Sequence, residues 1–379
     1  MKIVFSSRPA FGHVFAIAPL AASAREACHD VIFASGEAFL PRLEGWGFDT
    51  RKVGEAIEWG FERAVAKWPE LMQPETPEFG ARMFVDALGL RSLEDMSALI
   101  EEVRPDLVVY EATDVGAAVA AAAARVPTAC HSLSVWGQVF RDALRGREHV
   151  LWNEVGMDPT LDVTVGDAFL DIWPSTMQSE GVAEGAEQHW LLRPLTWGDP
   201  SAEIPSWIDT AEGPLVFVSL GTMFQGKELL AKVLDAIAGV DCDALVLARA
   251  DATPEELSIE SDRLRVTGFV NQAEVLRHAD LVIHHGGAGT MLGALSQGLP
   301  ALVLPEGADR PYTAASLVDS GAGLSLEPRS ATTEDIAHAV NELLSETRYR
   351  ERAVEIQKEI EAMPSPAEVV ERLDSLVRR

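Results

Sequence analysis

Short apolar runs, each followed by a glycine-containing turn and a segment with helical periodicity, recur along the chain. The first of these units predicts a strand at Lys2–Ser6, a loop at Ser7–Gly12, an amphipathic helix at His13–Ala27 and a second strand at Val31–Ala34. This strand-loop-helix-strand order is the unit from which parallel α/β sheets are built.

The same pattern returns further along the first half of the chain. A short apolar strand is predicted at Asp106–Tyr110, a helix at Val115–Arg125, and another strand after Pro127. These segments complete one doubly wound domain, which we place at residues 1–196.

A second domain starts after a segment without usable periodicity. Residues 197–213 combine prolines, glycines and acidic residues, which indicates an interdomain linker. The run PLVFVSLGT then predicts a strand and a glycine turn, and ALVLA, LRVTGFV, ADLVIHHGG and PALVLPEG predict further strands between helical segments. We place the second domain at 214–363 and a C-terminal amphipathic helix, expected to pack back on the first domain, at 364–379.

The alternation of strands and helices in both halves predicts an α/β protein. Its two doubly wound, Rossmann-like domains are expected to face each other across a cleft. Ligands of such sheets bind beyond the carboxyl ends of the strands. We therefore expect the functional residues in the loops that follow the strands.

Composition and charge restrict the kinds of partner that the protein can bind. With 379 residues, 47% of them hydrophobic and 24% charged, the chain is long enough for two cores. Its 59 acidic and 31 basic residues give a net charge of −28, which repels nucleic acid and anionic membrane surfaces. A substrate phosphate must then be held locally, by backbone N–H groups, a helix N-terminus or a few side chains.

Cysteine usage and the lengths of the apolar runs indicate a cytoplasmic protein. Cys28, Cys130 and Cys242 are far apart and odd in number, so neither a disulfide framework nor a zinc site is expected. The opening segment resembles a signal peptide, but Arg8 and His13 interrupt its apolar run. No uninterrupted apolar run reaches the roughly 20 residues that a membrane-spanning helix needs.

The strongest candidate site is the run LVIHHGGAGT at 281–290, in which an apolar strand enters a glycine turn that opens a helix at Met291–Gln297. Small residues let the backbone approach a ligand closely, and the unpaired N–H groups of a helix N-terminus suit a diphosphate. A histidine at the end of the strand can add a hydrogen bond to phosphate. Taken alone, the run fits equally well a tight strand-to-helix turn with an incidental histidine pair.

Neighbouring segments favour function over this alternative. VTGFVNQ at 266–272 with EVL at 274–276, then HHGGAGT, then LPEGADR at 304–310 with Ala314 resemble the nucleotide-sugar signature of the family 1 glycosyltransferases. Within that family the chain is most similar to the actinomycete enzymes that glycosylate polyketide and enediyne natural products, which have the GT-B fold. The resemblance covers nearly the whole chain, including FGHVFAIAPLA and PDLVVYE in the first half.

The resemblance implies that the first domain binds the acceptor and the second domain binds the nucleotide-sugar donor. It places the nucleobase against Phe269 and the Val270 backbone, the diphosphate at the two glycine turns, and the donor sugar beside Asp309. The family's usual glutamine next to this aspartate is Arg310 here. Plant members carry a carboxylate for a ribose hydroxyl eight residues after the motif histidine, where this chain has Leu292, so we expect dTDP rather than UDP. The residues assigned to donor binding are Gly221, Thr222, Phe269, Val270, Gln272, His284, Gly286, Gly287, Gly289, Thr290, Asp309 and Arg310.

In the first domain, His13 stands where the predicted loop meets the first helix. The resemblance makes His13 the general base that deprotonates the acceptor hydroxyl, a task that suits a side chain able to exchange a proton near neutral pH. A carboxylate on the other ring nitrogen would fix the tautomer, and Glu111 matches the family's partner acid, with Asp114 close by. Without the resemblance, His13 also fits a local helix cap, and the two acids fit a solvated loop.

Aromatic residues in two irregular stretches of the first domain are candidates for binding a flat or lipophilic acceptor. They fit equally well as packing for loosely ordered helices. The acceptor candidates are Trp59, Phe61, Phe84, Trp136 and Phe140.

This interpretation requires no metal ion. Asp241–Cys242–Asp243 has the DxD spacing by which other glycosyltransferases hold a metal-bound diphosphate, but it lies between a helix and a strand and is expected to form a turn. The helix N-terminus at the glycine turn already supplies the positive potential that a leaving diphosphate needs. We therefore expect no metal and no cofactor besides the nucleotide-sugar substrate.

These features predict an inverting, metal-independent transfer of a (deoxy)sugar from a dTDP-sugar to a hydroxyl of a lipophilic secondary-metabolite acceptor. Inversion follows from the resemblance alone. The expected partners are the small-molecule acceptor and the nucleotide sugar, with no nucleic acid and no membrane insertion, and a homodimer is left open. The alternatives are a sugar-nucleotide 2-epimerase of the same fold and a non-catalytic accessory homologue that binds a partner transferase. A nicotinamide oxidoreductase is disfavoured, because neither domain starts with GxGxxG followed by an acid about twenty residues on.

Overall fold

A computed structural model describes residues 1–71, 76–135, 138–198, 205, 207–208, 213–221, 227–247, 263–268 and 270–378. Contacts between Cα atoms divide the chain into two compact units. The first unit comprises Met1–Trp173, Ser179–Arg193 and Met363–Arg379, and the second comprises Pro174–Gln178 and Pro194–Ala362. The predicted linker at 197–213 falls mostly outside the described residues, so its bounds stay a prediction.

The first unit contains a sheet of seven parallel strands. The strands are β1 (Lys2–Ser6), β2 (Asp30–Ser35), β3 (Asp49–Lys52), β4 (Leu107–Glu111), β5 (Thr128–His131), β6 (Ala168–Asp171) and β7 (Gln188–Leu191). Their order in the sheet is β3-β2-β1-β4-β5-β6-β7, and all neighbours run parallel. Every residue of the central strand β4 is buried, as expected for an apolar strand covered on both faces.

Helices of the first unit connect these strands. They are α1 (Phe11–Glu26), α2 (Leu40–Gly45), α3 (Ile57–Lys67), α4 (Pro77–Arg82), α5 (Leu90–Val103), α6 (Val115–Ala123), α7 (Gln138–Arg145) and α8 (His149–Glu154). Short 3-10 helices lie at Glu37–Phe39 and Pro69–Leu71, and a π-helix lies at Met83–Gly89. Helix α1 begins two residues earlier than predicted, which makes His13 its third residue.

The second unit has a parallel sheet of six strands. The strands are β8 (Leu215–Ser219), β9 (Asp243–Leu247), β10 (Leu264–Thr267), β11 (Leu281–His284), β12 (Ala301–Val303) and β13 (Gly323–Ser325), in the order β10-β9-β8-β11-β12-β13. The helices are α9 (Lys227–Ala238), α10 (Gln272–Leu276), α11 (Ala288–Ser296), α12 (Arg310–Ser320), α13 (Thr333–Ser345) and α14 (Thr347–Ala362). The final helix, α15 (Pro366–Val377), belongs to the first unit and packs on α1.

Both sheets reverse their strand order beside their first strand, between β1 and β4 and between β8 and β11. Loops leave the carboxyl edge in opposite directions at such a switch point, which opens a crevice for ligands. Register brings Ser6 opposite Tyr110 in the first sheet and Ser219 opposite His284 in the second. The loops after β1 and β4, and those after β8 and β11, therefore start side by side.

Close packing of α6 fixes the loop that follows β4. Residues 115–121 of this helix are all buried, because its small apolar side chains face neighbours on every side. A Cβ atom on Gly116 would lie 2.2 Å from the Gly89 carbonyl oxygen, so only glycine permits this approach of α6 to the π-helix. None of the helices in the described part of the chain combines the length and apolar character needed to span a membrane.

Candidate functional site

Two polar side chains meet at the switch point of the first sheet. His13 is the third residue of α1, and Glu111 is the last residue of β4. His13 Nδ1 lies 3.1 Å from Glu111 Oε1. The Glu111 side chain is completely buried, whereas the His13 side chain is 20% exposed. The Nδ1 edge of the imidazole thus contacts a buried carboxylate, and the rest of the ring reaches the surface of the unit.

The Glu111 carboxylate also accepts hydrogen bonds from its surroundings. Thr113 Oγ1 donates to Oε1 at 2.6 Å, the Thr113 N–H donates to Oε2 at 2.7 Å, and the Arg8 N–H donates to Oε1 at 3.3 Å. Burial by itself raises the pKa of Glu111, but His13, the Arg8 guanidinium and the Thr113 hydroxyl outweigh burial and hold this pKa at about 2. Because a carboxylate only accepts, neutral His13 carries its proton on Nδ1 and keeps a free lone pair on Nε2.

Asp114, the other predicted acid, contacts different residues. Ser6 Oγ donates to Asp114 Oδ2 at 2.6 Å, and Arg8 Nη2 lies 3.3 Å from Asp114 Oδ1. Arg8 is 2% exposed and also donates to two backbone carbonyls. Asp114 thus neutralises a buried arginine, whereas Glu111 is the carboxylate that the structure brings to His13.

The predicted acceptor aromatics take part in packing. Trp59, Phe61 and Phe84 pack against a small apolar cluster formed by α3, α4 and the π-helix. Phe84 also meets Phe140 edge to face, with ring centroids 6.2 Å apart. Trp136 lies outside the described residues. Their role in acceptor binding stays a prediction, and the packing alternative accounts for the contacts of the described four.

In the second unit, the two glycine turns meet around His285. A Cβ atom on Gly221 would lie 2.9 Å from His285 Nε2, and one on Gly287 would lie 2.7 Å from the same atom. Gly221 and Gly286 have φ angles of +89° and +93°, a left-handed conformation that glycine adopts without strain. Glycine in both turns therefore lets the imidazole of His285 lie between them.

His284, the predicted phosphate ligand, is turned inward. Its side chain is fully buried, and its Nδ1 accepts a hydrogen bond from the Gly286 N–H at 3.1 Å, so it shapes the turn. His285 is partly exposed, and burial followed by the nearby Arg310 charge lowers its pKa to about 4. His285 was not among the predicted donor residues. The position of His285 in the sequence could have identified it, because His284 ends β11 and His285 is the first residue of the turn.

The remaining donor candidates gather at three helix starts. Helix α11 has Gly287 at its N-cap, and no side chain caps its first N–H groups. Thr222 and Phe269 lie outside the described residues. Gly289 and Thr290 lie in the first turn of α11, Asp309 and Arg310 at the start of α12, and Val270 and Gln272 at the start of α10.

Both aspartates of the DxD segment form ion pairs. Arg263 pairs with both Asp241 and Asp243, and its Nε lies 3.2 Å from Asp243 Oδ1. Asp243 also accepts from the Gly213 N–H at 2.9 Å. In the described part of the chain, no three histidine, cysteine or acidic side chains are grouped so that they could hold a metal ion.

Sequence comparison relates the chain to a set of biosynthetic proteins. The N-terminal domain of the family described as "Erythromycin biosynthesis protein CIII-like" matches residues 22–221, and its C-terminal domain matches 231–376. The 3-alpha-mycarosylerythronolide B desosaminyl transferase of Saccharopolyspora erythraea is 27% identical over 421 positions, covering 98% of this chain and 97% of the relative. The TDP-daunosamine transferase DnrS of Streptomyces peucetius is 27% identical over 432 positions, covering 100% and 97%.

Solved structures match over the whole length. The glycosyltransferase VinC in complex with dTDP superimposes with a TM-score of 0.82 at 23% identity, covering 100% of both chains. The spinosyn forosaminyltransferase SpnP gives 0.80 at 25% identity, again covering 100% of both. These matches confirm the predicted GT-B fold class, with two doubly wound α/β units.

Proposed function

Because the chain belongs to the erythromycin biosynthesis protein CIII-like family of sugar-nucleotide-dependent glycosyltransferases, we propose a specific reaction for it. The protein transfers a (deoxy)sugar from a dTDP-sugar to a hydroxyl of a lipophilic secondary-metabolite acceptor. The transfer inverts the anomeric centre and needs no metal ion. The observation that carries the mechanism is the contact between the partly exposed His13 and the buried Glu111.

In this reaction His13 acts as the general base. Its Nδ1–H is bonded to Glu111, so Nε2 accepts the proton of the acceptor hydroxyl. The acceptor oxygen forms a bond to the sugar's C1 from the face opposite the leaving group. The bond between C1 and the diphosphate oxygen breaks, and its electron pair leaves with dTDP. The Glu111 carboxylate stabilises the imidazolium that results.

Groups of the second unit stabilise the departing diphosphate. His285 lies between the two glycine turns, and the N–H groups that begin α11 have no side-chain cap. His285 Nδ1 donates to the Ser219 carbonyl at 3.3 Å, so Nε2 of the neutral ring carries a lone pair, and the ring supports the two turns instead of donating to the diphosphate. The N–H groups of the helix N-terminus donate hydrogen bonds to an anion, and the Arg310 charge close to His285 adds attraction. These groups take the place that a metal ion fills in other transferases, which supports metal independence.

The donor nucleotide is dTDP, because the sequence has no acid at the position that corresponds to the family's ribose-binding carboxylate. Leu292 is 3% exposed and has no polar atom to offer. Counted from His285 instead of His284, the corresponding position is Gly293, which also lacks a carboxylate. The similar glycosyltransferase VinC forms a complex with dTDP, and the Streptomyces peucetius relative is a TDP-daunosamine transferase by name, which supports the same nucleotide.

Calorimetric titration with dTDP and with UDP, both in EDTA, tests this proposal. We expect dTDP to bind more tightly than UDP without metal, His285→Ala to weaken dTDP binding at least tenfold, and His13→Ala to leave it within about twofold. Binding of neither nucleotide would refute the donor site. A need for added divalent cation would refute metal independence. Screening dTDP-deoxysugars against polyketide aglycones then identifies the substrates.

A further inference from the structure

One residue supplies two of the hydrogen bonds that hold the Glu111 carboxylate. Thr113 donates its hydroxyl to Oε1 at 2.6 Å and its backbone N–H to Oε2 at 2.7 Å. We propose that Thr113 is a positioning residue that fixes the orientation of Glu111 and, through it, the Nδ1–H tautomer of His13. This inference rests on the proposed role of His13 as the base.

The geometry of the carboxylate explains why its orientation needs support. Glu111 ends β4 with its side chain completely buried, where water cannot solvate the charge. Two donors from one residue, one on each oxygen, fix the plane of the carboxylate as a single donor cannot. Oε1 is then directed at His13, whose Nδ1 lies 3.1 Å away. Thr113 is itself buried, with 2% of its surface exposed.

The Thr113 hydroxyl is close to both members of the pair. It lies 3.5 Å from His13 Nδ1, compared with 2.6 Å from Glu111 Oε1. At the shorter distance its proton points to the carboxylate, which leaves the Nδ1 proton of His13 as a second donor to the same oxygen. Loss of the hydroxyl leaves Oε1 with the Arg8 N–H at 3.3 Å in place of the donor at 2.6 Å, which loosens the carboxylate and weakens its hold on the ring.

The chain offers a matched control for this contact. Thr128 also donates its hydroxyl and its N–H to a carboxylate, that of Asp167, at 2.7 and 2.8 Å. Thr128 begins β5, whereas the end of that strand lies beside Glu111, so this pair is about 10 Å further along the sheet. Thr128→Val therefore removes the same kind of hydrogen bond without touching the His13 pair.

The experiment follows the His13 ring directly and needs no substrate. In 15N-labelled full-length protein, the imidazole N–H signal that disappears in His13→Gln is assigned to His13, and its exchange with water is measured. We expect Thr113→Val to accelerate this exchange about tenfold, because it removes a hydrogen bond to a buried charge. Thr113→Ser, which keeps the hydroxyl, and Thr128→Val should remain within about twofold of the wild type.

A double variant separates this inference from the proposed function. Glu111→Ala should itself accelerate the exchange, and adding Thr113→Val should then change nothing further. If Glu111→Ala accelerates exchange but Thr113→Val does not, only the role of Thr113 is wrong. The role of Thr113 is also wrong if Thr113→Ser or Thr128→Val accelerates the exchange of the His13 N–H as much as Thr113→Val does. If Glu111→Ala has no effect on His13, the pair on which the proposed function rests fails, and the inference fails with it.

Discussion

Replacing Glu111 by glutamine removes the negative charge beside His13 and keeps the size of the side chain. In the proposed reaction His13 gains a positive charge as the acceptor hydroxyl loses its proton. The carboxylate lies 3.1 Å from this charge and is completely buried. Glu111→Gln should therefore slow the transfer of the proton from the acceptor hydroxyl to His13. The groups of the second unit that we propose to bind the nucleotide sugar are left unchanged.

The size of the effect follows from the distance and the burial. Two unit charges 3.1 Å apart attract each other by about 5 kcal/mol at an effective dielectric constant of about 20. Solvent reaches His13, which is 20% exposed, and the amide oxygen of glutamine still accepts a hydrogen bond. We therefore expect Glu111→Gln to remove about 3 kcal/mol of transition-state stabilisation. At about 1.4 kcal/mol per factor of ten, this is a roughly 100-fold fall in kcat.

Initial rates with a dTDP-sugar and an aglycone found by screening measure this effect. Calorimetry with dTDP and thermal unfolding of the same variant show whether donor binding and folding are intact. Glu148→Gln is the matched control, because it makes the same chemical change at a partly buried acid whose pKa burial raises to about 7. We expect this control to keep kcat within about twofold.

Two results would refute the reasoning. If folded Glu111→Gln retained kcat within about threefold of the wild type, Glu111 would not assist the base. If its affinity for dTDP fell in parallel with kcat, the substitution would act through the structure as a whole. In either case the contact between Glu111 and His13 would be a structural feature of the β4 end.

Further predictions concern the neighbouring groups. His13→Ala should abolish transfer, measured by product formation, and parallel losses of transfer and dTDP affinity would make His13 structural. Asp114→Asn should lower the free energy of unfolding in urea by about 3 kcal/mol, because it removes the carboxylate that is paired directly with the buried Arg8 guanidinium; an unchanged stability would contradict this. Burial lowers the pKa of His131 from 6.5 to about 4, so only the unfolded chain binds this proton between those values, and stability should fall as pH decreases through that window. His131→Gln should reduce the slope by about 1.4 kcal/mol per pH unit, and an unchanged slope would show that His131 is not the cause.

The positions of most elements near the site could be predicted from the sequence, because their signals are local. Three consecutive apolar residues at 281–283 and the glycines that follow them predict a strand and a tight turn whatever else surrounds them. The strand at Asp106–Tyr110 was predicted within one residue of β4. Order along the chain then predicts parallel sheets, and with them the edge at which Glu111 ends its strand and the loop leading to His13 emerges.

The identity of the side chains that meet at that edge depends on the tertiary structure. Glu111 ends β4 and Asp114 follows three residues later, so position in the sequence does not decide which of the two acids meets His13. The packed loop turns the first to His13 and the second to the buried Arg8. The aromatic residues predicted to bind the acceptor are a similar case, since the sequence fits packing and ligand binding equally and the structure shows packing contacts.

The pair His284 and His285 shows why the direction of a side chain could not be predicted from the sequence. A strand that runs into a glycine turn, with a histidine at the junction, can be predicted from the sequence alone. Which ring is buried and which reaches the surface depends on the tertiary structure, because His284 is enclosed behind β11 and the glycines of two separate turns leave room for His285. Local periodicity specifies backbone elements, whereas the direction and partner of a side chain depend on residues that only folding brings together.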